Sequence, residues 1–201
     1  IIFCAAEAPV KDLKMFTNNI IMLNNLIYCL RDIKINNFIY LSSDAVYSDS
    51  TKLIDEECDT NPDSLHGIMH LTRERIIKNI FPDNHLIVRP TLVYGFGDPH
   101  SGYGPNKFIN TSINEKKIEI FGKGEELRDH IYIHDLCKMF KKLVVNNKKG
   151  IFNLVSGELI NFLEIAKSIT RLASEHNFKV DLKYKKRFGL MPHNGFRKLS
   201  N

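Results

Sequence analysis

The feature that most constrains this chain is the stretch from Phe38 to Glu74, where an apolar run leads into polar residues and then into a helical pattern. The run Phe38 to Leu41 suits a strand buried on both faces. The polar residues Ser42 to Asp44 follow it directly, and ligands of open α/β sheets bind at the carboxyl ends of parallel strands. His66 and His70 are four residues apart in the helical segment, so they lie on one face of that helix. The stretch therefore predicts a ligand site.

Further strands and helices are predicted along the chain. Apolar runs indicate strands at Ile1 to Ala6, Phe38 to Ser42, His85 to Pro90, Lys117 to Phe121, Gly150 to Glu158 and His176 to Tyr184. Apolar residues recurring every three or four positions indicate helices at Lys11 to Ile33, Leu65 to Ile80, Leu136 to Asn147 and Phe162 to Ala173. One further helix is expected to end at about Asn114. Three local signals refine this pattern: a hairpin-like turn at Gly122 to Glu126, Asp135 as one N-cap, and Asn161 as another with Glu164 completing its capping box.

Length and composition indicate a globular protein with one sizeable core. The chain has 201 residues, of which 43% are hydrophobic and 25% charged, which suits one domain plus an appendage. No run approaches the ~20 apolar residues of a membrane span, and the apolar start is too short for a secretory signal. The four cysteines (Cys4, Cys29, Cys58, Cys137) form no CxxC pair, so we expect small buried residues in a reducing cytoplasm.

The net charge narrows the expected partners. The formal charge is +5 and the sequence pI is about 8.9. A mild positive balance suits a polyanionic small ligand such as a sugar diphosphate. No stripe of Lys and Arg alternates with aromatic residues, so we expect no nucleic-acid partner.

Four segments carry recognisable motifs: Ser42-Ser43-Asp44-Ala45-Val46-Tyr47 with the helix after it, Arg89 to Gly97 (Arg-Pro-x-x-Val-Tyr-Gly-x-Gly), Leu127 to Leu136 (x-Arg-Asp-x-x-x-Val-x-Asp-Leu) and Gly150 to Gly157. Together they resemble the extended short-chain dehydrogenase/reductase family, in its NAD-dependent nucleotide-sugar epimerase/dehydratase branch. The resemblance implies an α/β fold with a Rossmann-like, doubly wound parallel sheet and a small C-terminal substrate-binding lobe.

The resemblance also implies a division of the chain. Residues 1–95 would form a partial NAD-binding core and residues 96–201 mainly the lobe, with 127–160 returning to the core. The family's glycine-rich turn, G-x-x-G-x-x-G, holds the pyrophosphate of the dinucleotide, and it does not occur in this sequence. We therefore expect that roughly 60 to 80 residues of the family pattern precede this chain, at ~30 residues per βαβ unit, and that some residues follow it.

The catalytic residues implied by the resemblance are Ser43, Asp44, His66 and His70. The family helix reads Tyr-x-x-x-Lys, and this chain has His66 and His70 at those two positions. His66 could replace the tyrosine as acid and base, whereas a neutral His70 would lack the charge of the lysine. Altered catalysis and loss of activity both remain open. No metal site is expected, because the two histidines lack an identified third ligand.

The binding residues implied by the resemblance fall into two sets. The cofactor, NAD or NADP, would contact Ala5, Ala6, Asn19, Ser42, His70, Arg89 and Pro90. The nucleotide sugar would contact Glu7, Thr91, Asn106 and Arg128. For Ala5 and Ala6 simple strand packing is the alternative. For Arg128 the alternative to capturing a phosphate is pairing with Asp129.

The sequence thus predicts an NAD(P)-dependent oxidoreductase of the epimerase/dehydratase type, acting on a sugar hydroxyl or keto group through an atypical active site. The alternative is a non-catalytic or truncated paralogue that binds nucleotide sugars or serves as a partner subunit. A homodimer is expected by analogy, through a helix bundle that includes the helix of His66 and His70.

Overall fold

The computed structural model describes residues 1–49, 52–98, 102–189 and 191–200. Within these ranges the chain forms five α-helices and ten β-strands. The helices are α1 (Leu13–Leu30), α2 (Leu65–Ile80), α3 (Pro105–Glu115), α4 (Ile133–Val145) and α5 (Phe162–Glu175). The strands are β1 (Ile2–Phe3), β2 (Phe38–Leu41), β3 (His85–Pro90), β4 (Leu92–Tyr94), β5 (Lys117–Phe121), β6 (Leu127–Tyr132), β7 (Gly150–Leu154), β8 (Leu159–Asn161), β9 (Asp181–Lys185) and β10 (Phe196–Arg197). Pro99, His100 and Ser101, at the start of the predicted lobe, lie outside the described residues.

The main sheet has four parallel strands in the order β1-β2-β3-β7. Successive side chains of a strand point to opposite faces of the sheet. In the two central strands, β2 and β3, the side chains on both faces are buried. Phe38 and Tyr40 of β2 pack with α1 and α2, while Ile39 packs with α4 on the other side. This arrangement confirms the predicted α/β class and the Rossmann-like, doubly wound parallel sheet.

A second layer of structure packs around α3, α5 and the parallel strand pair β5-β9. The buried residues of its core are Phe108, Ile118, Ile120, Phe162, Ile165, Ala166 and Val180. The capping box predicted for α5 is confirmed: the Glu164 backbone N–H donates to Asn161 Oδ1 at 2.8 Å, and the Asn161 N–H donates to the Glu164 carboxylate at 3.3 Å.

Strand β6 connects the two layers. It lies between β4 and β10, both parallel to it, and it pairs with β8 in the antiparallel sense. The predicted hairpin at Gly122 to Glu126 is therefore wrong. The turn forms, with Gly122 and Gly124 at positive φ, but β5 pairs with β9 and β6 pairs elsewhere. Tertiary pairing thus selects different partners from those that sequence proximity favours.

Two further local predictions are wrong. Helix α4 begins at Ile133 directly after β6, so its N-cap is Tyr132. Asp135 lies inside the first turn, where a carboxylate stabilises the helix dipole, and it pairs with Lys138 at 2.9 Å. The cysteines are not buried: Cys4, Cys29 and Cys137 are exposed. The reducing, cytoplasmic location inferred from them stays a prediction.

No helix within the described residues is long and apolar enough to cross a membrane.

His130 of β6 is a buried side chain without a hydrogen-bond partner among the described residues. Both of its ring nitrogens are inaccessible and unpartnered, and its ring packs edge-to-face on Phe162 with centroids 5.5 Å apart. Burial lowers the pKa of His130 to about 4. A close approach to the Arg128 backbone acts in the opposite direction, but it lacks the geometry of a hydrogen bond. The neutral ring therefore occupies an environment suited to an apolar one, at a cost of about 1–3 kcal/mol for an unsatisfied buried group.

We expect His130→Phe to stabilise the protein. The variant keeps the aromatic contact with Phe162 and removes two unpartnered nitrogens, so the free energy of unfolding should rise by about 1 kcal/mol, or ~2–4 °C in Tm. Because the folded pKa of about 4 lies below the ordinary 6.5, stability is full above pH 6.5 and falls as the pH drops toward 4. The advantage of the variant should therefore grow at about pH 5.

Chemical denaturation at both pH values measures this difference. His134→Phe makes the same change at an exposed position and serves as the control. A variant less stable than the parent at both pH values would mean that the His130 nitrogens have partners.

Candidate active site around His66 and His70

Helix α2 brings the predicted catalytic residues together. Its N-cap Ser64 accepts a hydrogen bond from the Gly67 backbone N–H at 3.1 Å. A Cβ on Gly67 would lie 2.1 Å from the Ala45 carbonyl oxygen, so only glycine allows the helix to approach the segment after β2 this closely. That segment carries Ser43 and Asp44, and Asp44 is near enough to His66 to influence its pKa.

Ser43 and Asp44 are held by a 3-10 turn. Ser43 caps the turn formed by Asp44–Val46, and its hydroxyl accepts from the Ala45 backbone N–H at 3.1 Å. Arg197 donates to the Asp44 carboxylate at 3.0 Å and also bonds its backbone oxygen. The carboxylate is thus already paired with a cation from the C-terminal segment.

His70 is buried and neutral. Its Nδ1 lies 2.7 Å from the Tyr40 hydroxyl, and only 5% of its surface is exposed. Burial, then the neighbouring His66 and Arg73, lower the pKa of His70 to about 3. His70 therefore supplies no positive charge at neutral pH.

His66 is half-buried and lies edge-to-face against His70, with ring centroids 4.6 Å apart. Its Nδ1 accepts a hydrogen bond from the Val10 backbone N–H at 3.4 Å. Burial lowers its pKa below the ordinary value, and Asp44 only partly offsets this effect. His66 is therefore also mainly neutral at pH 7.

The loop after β1 is fixed against both helices. Asn19 of α1 accepts from the Glu7 N–H at 3.1 Å and donates to the Glu7 carbonyl at 2.9 Å. Arg73 of α2 is fully buried and donates to the carbonyls of Ala5, at 2.9 Å, and Asn19, at 3.0 Å. The side chains of Ala5 and Ala6 are exposed at the end of β1, where a ligand can reach them.

Ser42 and Arg89 are occupied by protein contacts. Ser42 donates to Glu74 Oε1 at 2.6 Å, and Arg89 binds both Glu74 oxygens at 3.0 and 2.6 Å. Arg89 also donates to the Tyr47 hydroxyl at 2.8 Å. Pro90 is buried at the end of β3. The predicted cofactor contacts of Ser42, Arg89 and Pro90 stay predictions.

Thr91, Asn106 and Arg128 are likewise engaged within the protein. Thr91 donates to the Asp129 carbonyl at 3.1 Å. Asn106 accepts from the Gly95 N–H at 3.1 Å and lines a cavity of about 400 Å³.

Arg128 is buried and bonds the Glu126 carboxylate and, at 2.6 Å, the Pro192 carbonyl. Its ion-pair partner is therefore Glu126. The Asp129 carboxylate accepts instead from Ser156 and Gly157.

A larger cleft of about 940 Å³ lies among α3, α4, α5 and β6, and it is lined by His130, Tyr132 and Ile165 among others. Neither His66 nor His70 lines this cleft, so cavity volume alone would not identify the two histidines as a site. Within the described residues, no three His, Cys, Asp or Glu side chains cluster as metal ligands do.

The sequence profile of the NAD dependent epimerase/dehydratase family matches residues 2–154, more than half of the chain. The chain belongs to this family. The matched region includes β1, β2, α2 and β3, and therefore every side chain around His66 and His70 except Arg197.

Known members of the family resemble the chain at modest identity. A dTDP-D-glucose 4,6-dehydratase of Dictyostelium discoideum is 26% identical over 181 residues, which cover 81% of this chain and 41% of that protein. A UDP-N-acetylglucosamine 4-epimerase from Methanobrevibacter ruminantium M1, in complex with UDP-N-acetylmuramic acid, superposes with a TM-score of 0.81 at 23% identity, over 99% of this chain and 66% of that one.

A UDP-glucuronic acid 4-epimerase from Bacillus cereus, in complex with NAD, gives a TM-score of 0.77 at 23% identity, over 91% of this chain and 61% of that one. The chain thus spans about two fifths of the first curated relative and under two thirds of this second structure.

Arg73 is the main feature that the sequence reasoning missed. It follows His66 and His70 at the i+7 and i+3 positions, so it shares their helix face. A long cation on the inner face of a helix needs buried partners, and that signal was available. Its partners, the carbonyls of Ala5 and Asn19, were not predictable because they are backbone atoms more than fifty residues away.

The Glu74–Arg89 pair yields a stability prediction. Burial acts to lower the pKa of Arg89, but hydrogen bonding and attraction to Glu74 raise it overall. Arg89→Met should leave the Glu74 carboxylate buried without its cation, which destabilises a fold by about 3–5 kcal/mol. Urea unfolding of the parent and the variant measures the loss.

Arg75→Met removes an exposed arginine from α2, the helix that carries Glu74, and should change stability by less than about 0.5 kcal/mol. Adding Glu74→Gln to Arg89→Met should recover part of the loss, because the uncompensated charge is removed. A loss that persists in full would mean that packing, rather than charge, dominates this position.

Proposed function

We propose that this chain belongs to an NAD(P)-dependent oxidoreductase of the epimerase/dehydratase type that acts at a hydroxyl or keto group of a nucleotide sugar. The observation that carries the proposal is the position of His66 and His70 on the inner face of α2, next to Ser43 and Asp44. These are the positions where the family has its tyrosine, lysine and hydroxyl residue.

The substrate class follows from the family and from charge. Relatives are named for dTDP and UDP sugars, and a nucleoside diphosphate suits the net charge of +5. Glu7, Thr91, Asn106 and Arg128 are the proposed contacts. Arg128 would have to bind the diphosphate in competition with Glu126, which now pairs with both Arg128 and Arg187.

The residues present fit NAD only in part. Ala5 and Ala6 are small and exposed just after β1, which suits close approach of a dinucleotide, and Arg73 fixes the Ala5 carbonyl. Ser42 and Arg89 already bond Glu74, and the sequence contains no glycine-rich pyrophosphate turn. When bound, NAD would supply the hydride acceptor or donor, and this chain would contribute one wall of its site.

A second candidate function is nucleotide-sugar binding without catalysis. Its specific support is the low pKa of His70, about 3. The buried ring cannot provide the positive charge that the family's lysine provides. In this case the chain would act as a binding or partner subunit.

Calorimetric titration of the chain with NAD, and then with a panel of UDP and dTDP sugars, separates the two candidates. Micromolar binding of both would support the oxidoreductase, and His66→Tyr should then gain turnover, with His134→Tyr as an exposed control. Heat with a nucleotide sugar but none with NAD would favour the binding function. No heat with either ligand would contradict both candidates.

We also infer a homodimer through α1 and α2. Leu13, Ile21 and Tyr28 are 71%, 50% and 63% exposed on α1, and their spacing of eight and seven residues puts them on one side of the helix. Ile68 and Ile80 add exposed apolar surface on α2. A two-fold axis would bury these side chains against their own copies.

Light scattering after size exclusion should give twice the chain mass, and Ile21→Glu should give a monomer. Val145→Glu, at an exposed position of α4, should leave the dimer intact. A parent chain that remains monomeric at ~100 μM, far above a typical specific dimer Kd, would contradict the inference.

A further inference from the structure

The hydrogen bond from Val10 fixes which nitrogen of His66 carries the proton. A backbone N–H can only donate, and the Val10 N–H points at His66 Nδ1 at 3.4 Å. His66 Nδ1 must therefore be the bare, accepting nitrogen. A neutral imidazole has one ring proton, so in His66 that proton is on Nε2.

The proton position of His70 follows from the Tyr40 hydroxyl, which unlike a backbone N–H can donate or accept. Arg73, which can only donate, lies against Tyr40 with its guanidinium 6.0 Å from the ring centre. Burial raises the pKa of Tyr40, and the Arg73 cation acts against that rise. Tyr40 therefore keeps its proton. Arg73 has no acceptor atom, so within the described residues His70 Nδ1 is the one acceptor bonded to the buried Tyr40 hydroxyl. The hydroxyl hydrogen is then directed at His70 Nδ1, 2.7 Å away, and the ring proton of His70 is on Nε2.

Both Nε2 atoms retain some accessible surface. Within the described residues, neither Nε2 has a protein hydrogen-bond partner. Unlike both ring nitrogens of His130, neither Nε2 is buried away from solvent. The rings are 4.6 Å apart, so one small polar group can lie near both.

We propose that His66 and His70 are paired hydrogen-bond donors, each through its Nε2–H, and that the site binds nucleotide sugars that already carry a keto group. This proposal rests on the proposed function and specifies its substrate class. A carbonyl oxygen only accepts hydrogen bonds, which makes it complementary to an Nε2–H donor, and a neutral imidazole can polarise a carbonyl in this way.

The same geometry disfavours oxidation of a sugar hydroxyl, which needs a group that accepts its proton. His66 offers no bare nitrogen to the ligand while Val10 occupies Nδ1. The Asp44 carboxylate is paired with Arg197 at 3.0 Å, and it lies 3.5 Å from the Ser43 hydroxyl. The arrangement thus binds and polarises an acceptor oxygen and takes no proton from a hydroxyl.

Long-range ¹H–¹⁵N correlation spectra of the labelled chain at neutral pH test the proton positions directly. His66 and His70 should both show a protonated Nε2 and a bare Nδ1. His85 is the internal control, because its Nδ1 lies 2.7 Å from the Phe81 carbonyl oxygen and must carry a proton. Tyr40→Phe should change the tautomer of His70 and leave that of His66 unchanged. A bare Nε2 on His66 would overturn the proposal.

Calorimetry with a nucleotide 4-keto sugar and with the matching 4-hydroxy sugar tests the substrate class. We expect the keto sugar to bind more tightly. His66→Phe should weaken its binding about five- to tenfold, the worth of one neutral hydrogen bond, and His66→Gln, which restores an N–H donor, should recover most of the loss. Equal losses in the Phe and Gln variants would overturn the donor role. Absence of binding by either sugar would instead contradict the proposed function, while the spectra would still decide the tautomers.

Discussion

The structure depends on how helix α2 buries a polar inner face. His70, Arg73 and Glu74 are each at most 5% exposed, in a layer that is usually apolar. Such groups are tolerated only when each one is satisfied. Tyr40 satisfies His70, backbone carbonyls satisfy Arg73, and Arg89 with Ser42 satisfies Glu74. These contacts reach β2, β3, α1 and the segment after β1, so one helix ties together the elements on one side of the main sheet.

The sequence predicted the positions of the helices and strands better than it predicted which strands pair with each other. The bounds of α2 were predicted correctly, because Ser64 caps its start and Phe81-Pro82 ends it. The apolar runs of β2 and β3 were also clear. The hairpin at Gly122 to Glu126 failed because β5 pairs with β9, about sixty residues further along the chain. Local signals define a turn, but they do not choose which strand crosses next to it.

For the candidate site too, the positions of the residues were predictable but their long-range contacts were not. The four-residue spacing placed His66 and His70 on one face, and the rings are indeed adjacent. Their chemistry depends on Val10 and Tyr40, which are 56 and 30 residues away in sequence. No pattern within a helix reveals those contacts, and they decide which nitrogen is bare. Sequence reasoning could therefore name the two histidines as candidates but could not distinguish a base from a donor.

The charges around the site point to positioning rather than titration. Arg73 is the cation nearest the two histidines on α2, and its guanidinium faces the carbonyls of Ala5 and Asn19. Arg128 and Arg197, further away, are matched by Glu126 and Asp44. In the proposed site a ligand would meet two neutral rings and a serine hydroxyl, while the nearby cations are already paired or turned inward. Under the proposed function, selectivity would come from which ligand atoms accept hydrogen bonds, and affinity for a diphosphate would depend on how readily Glu126 releases Arg128.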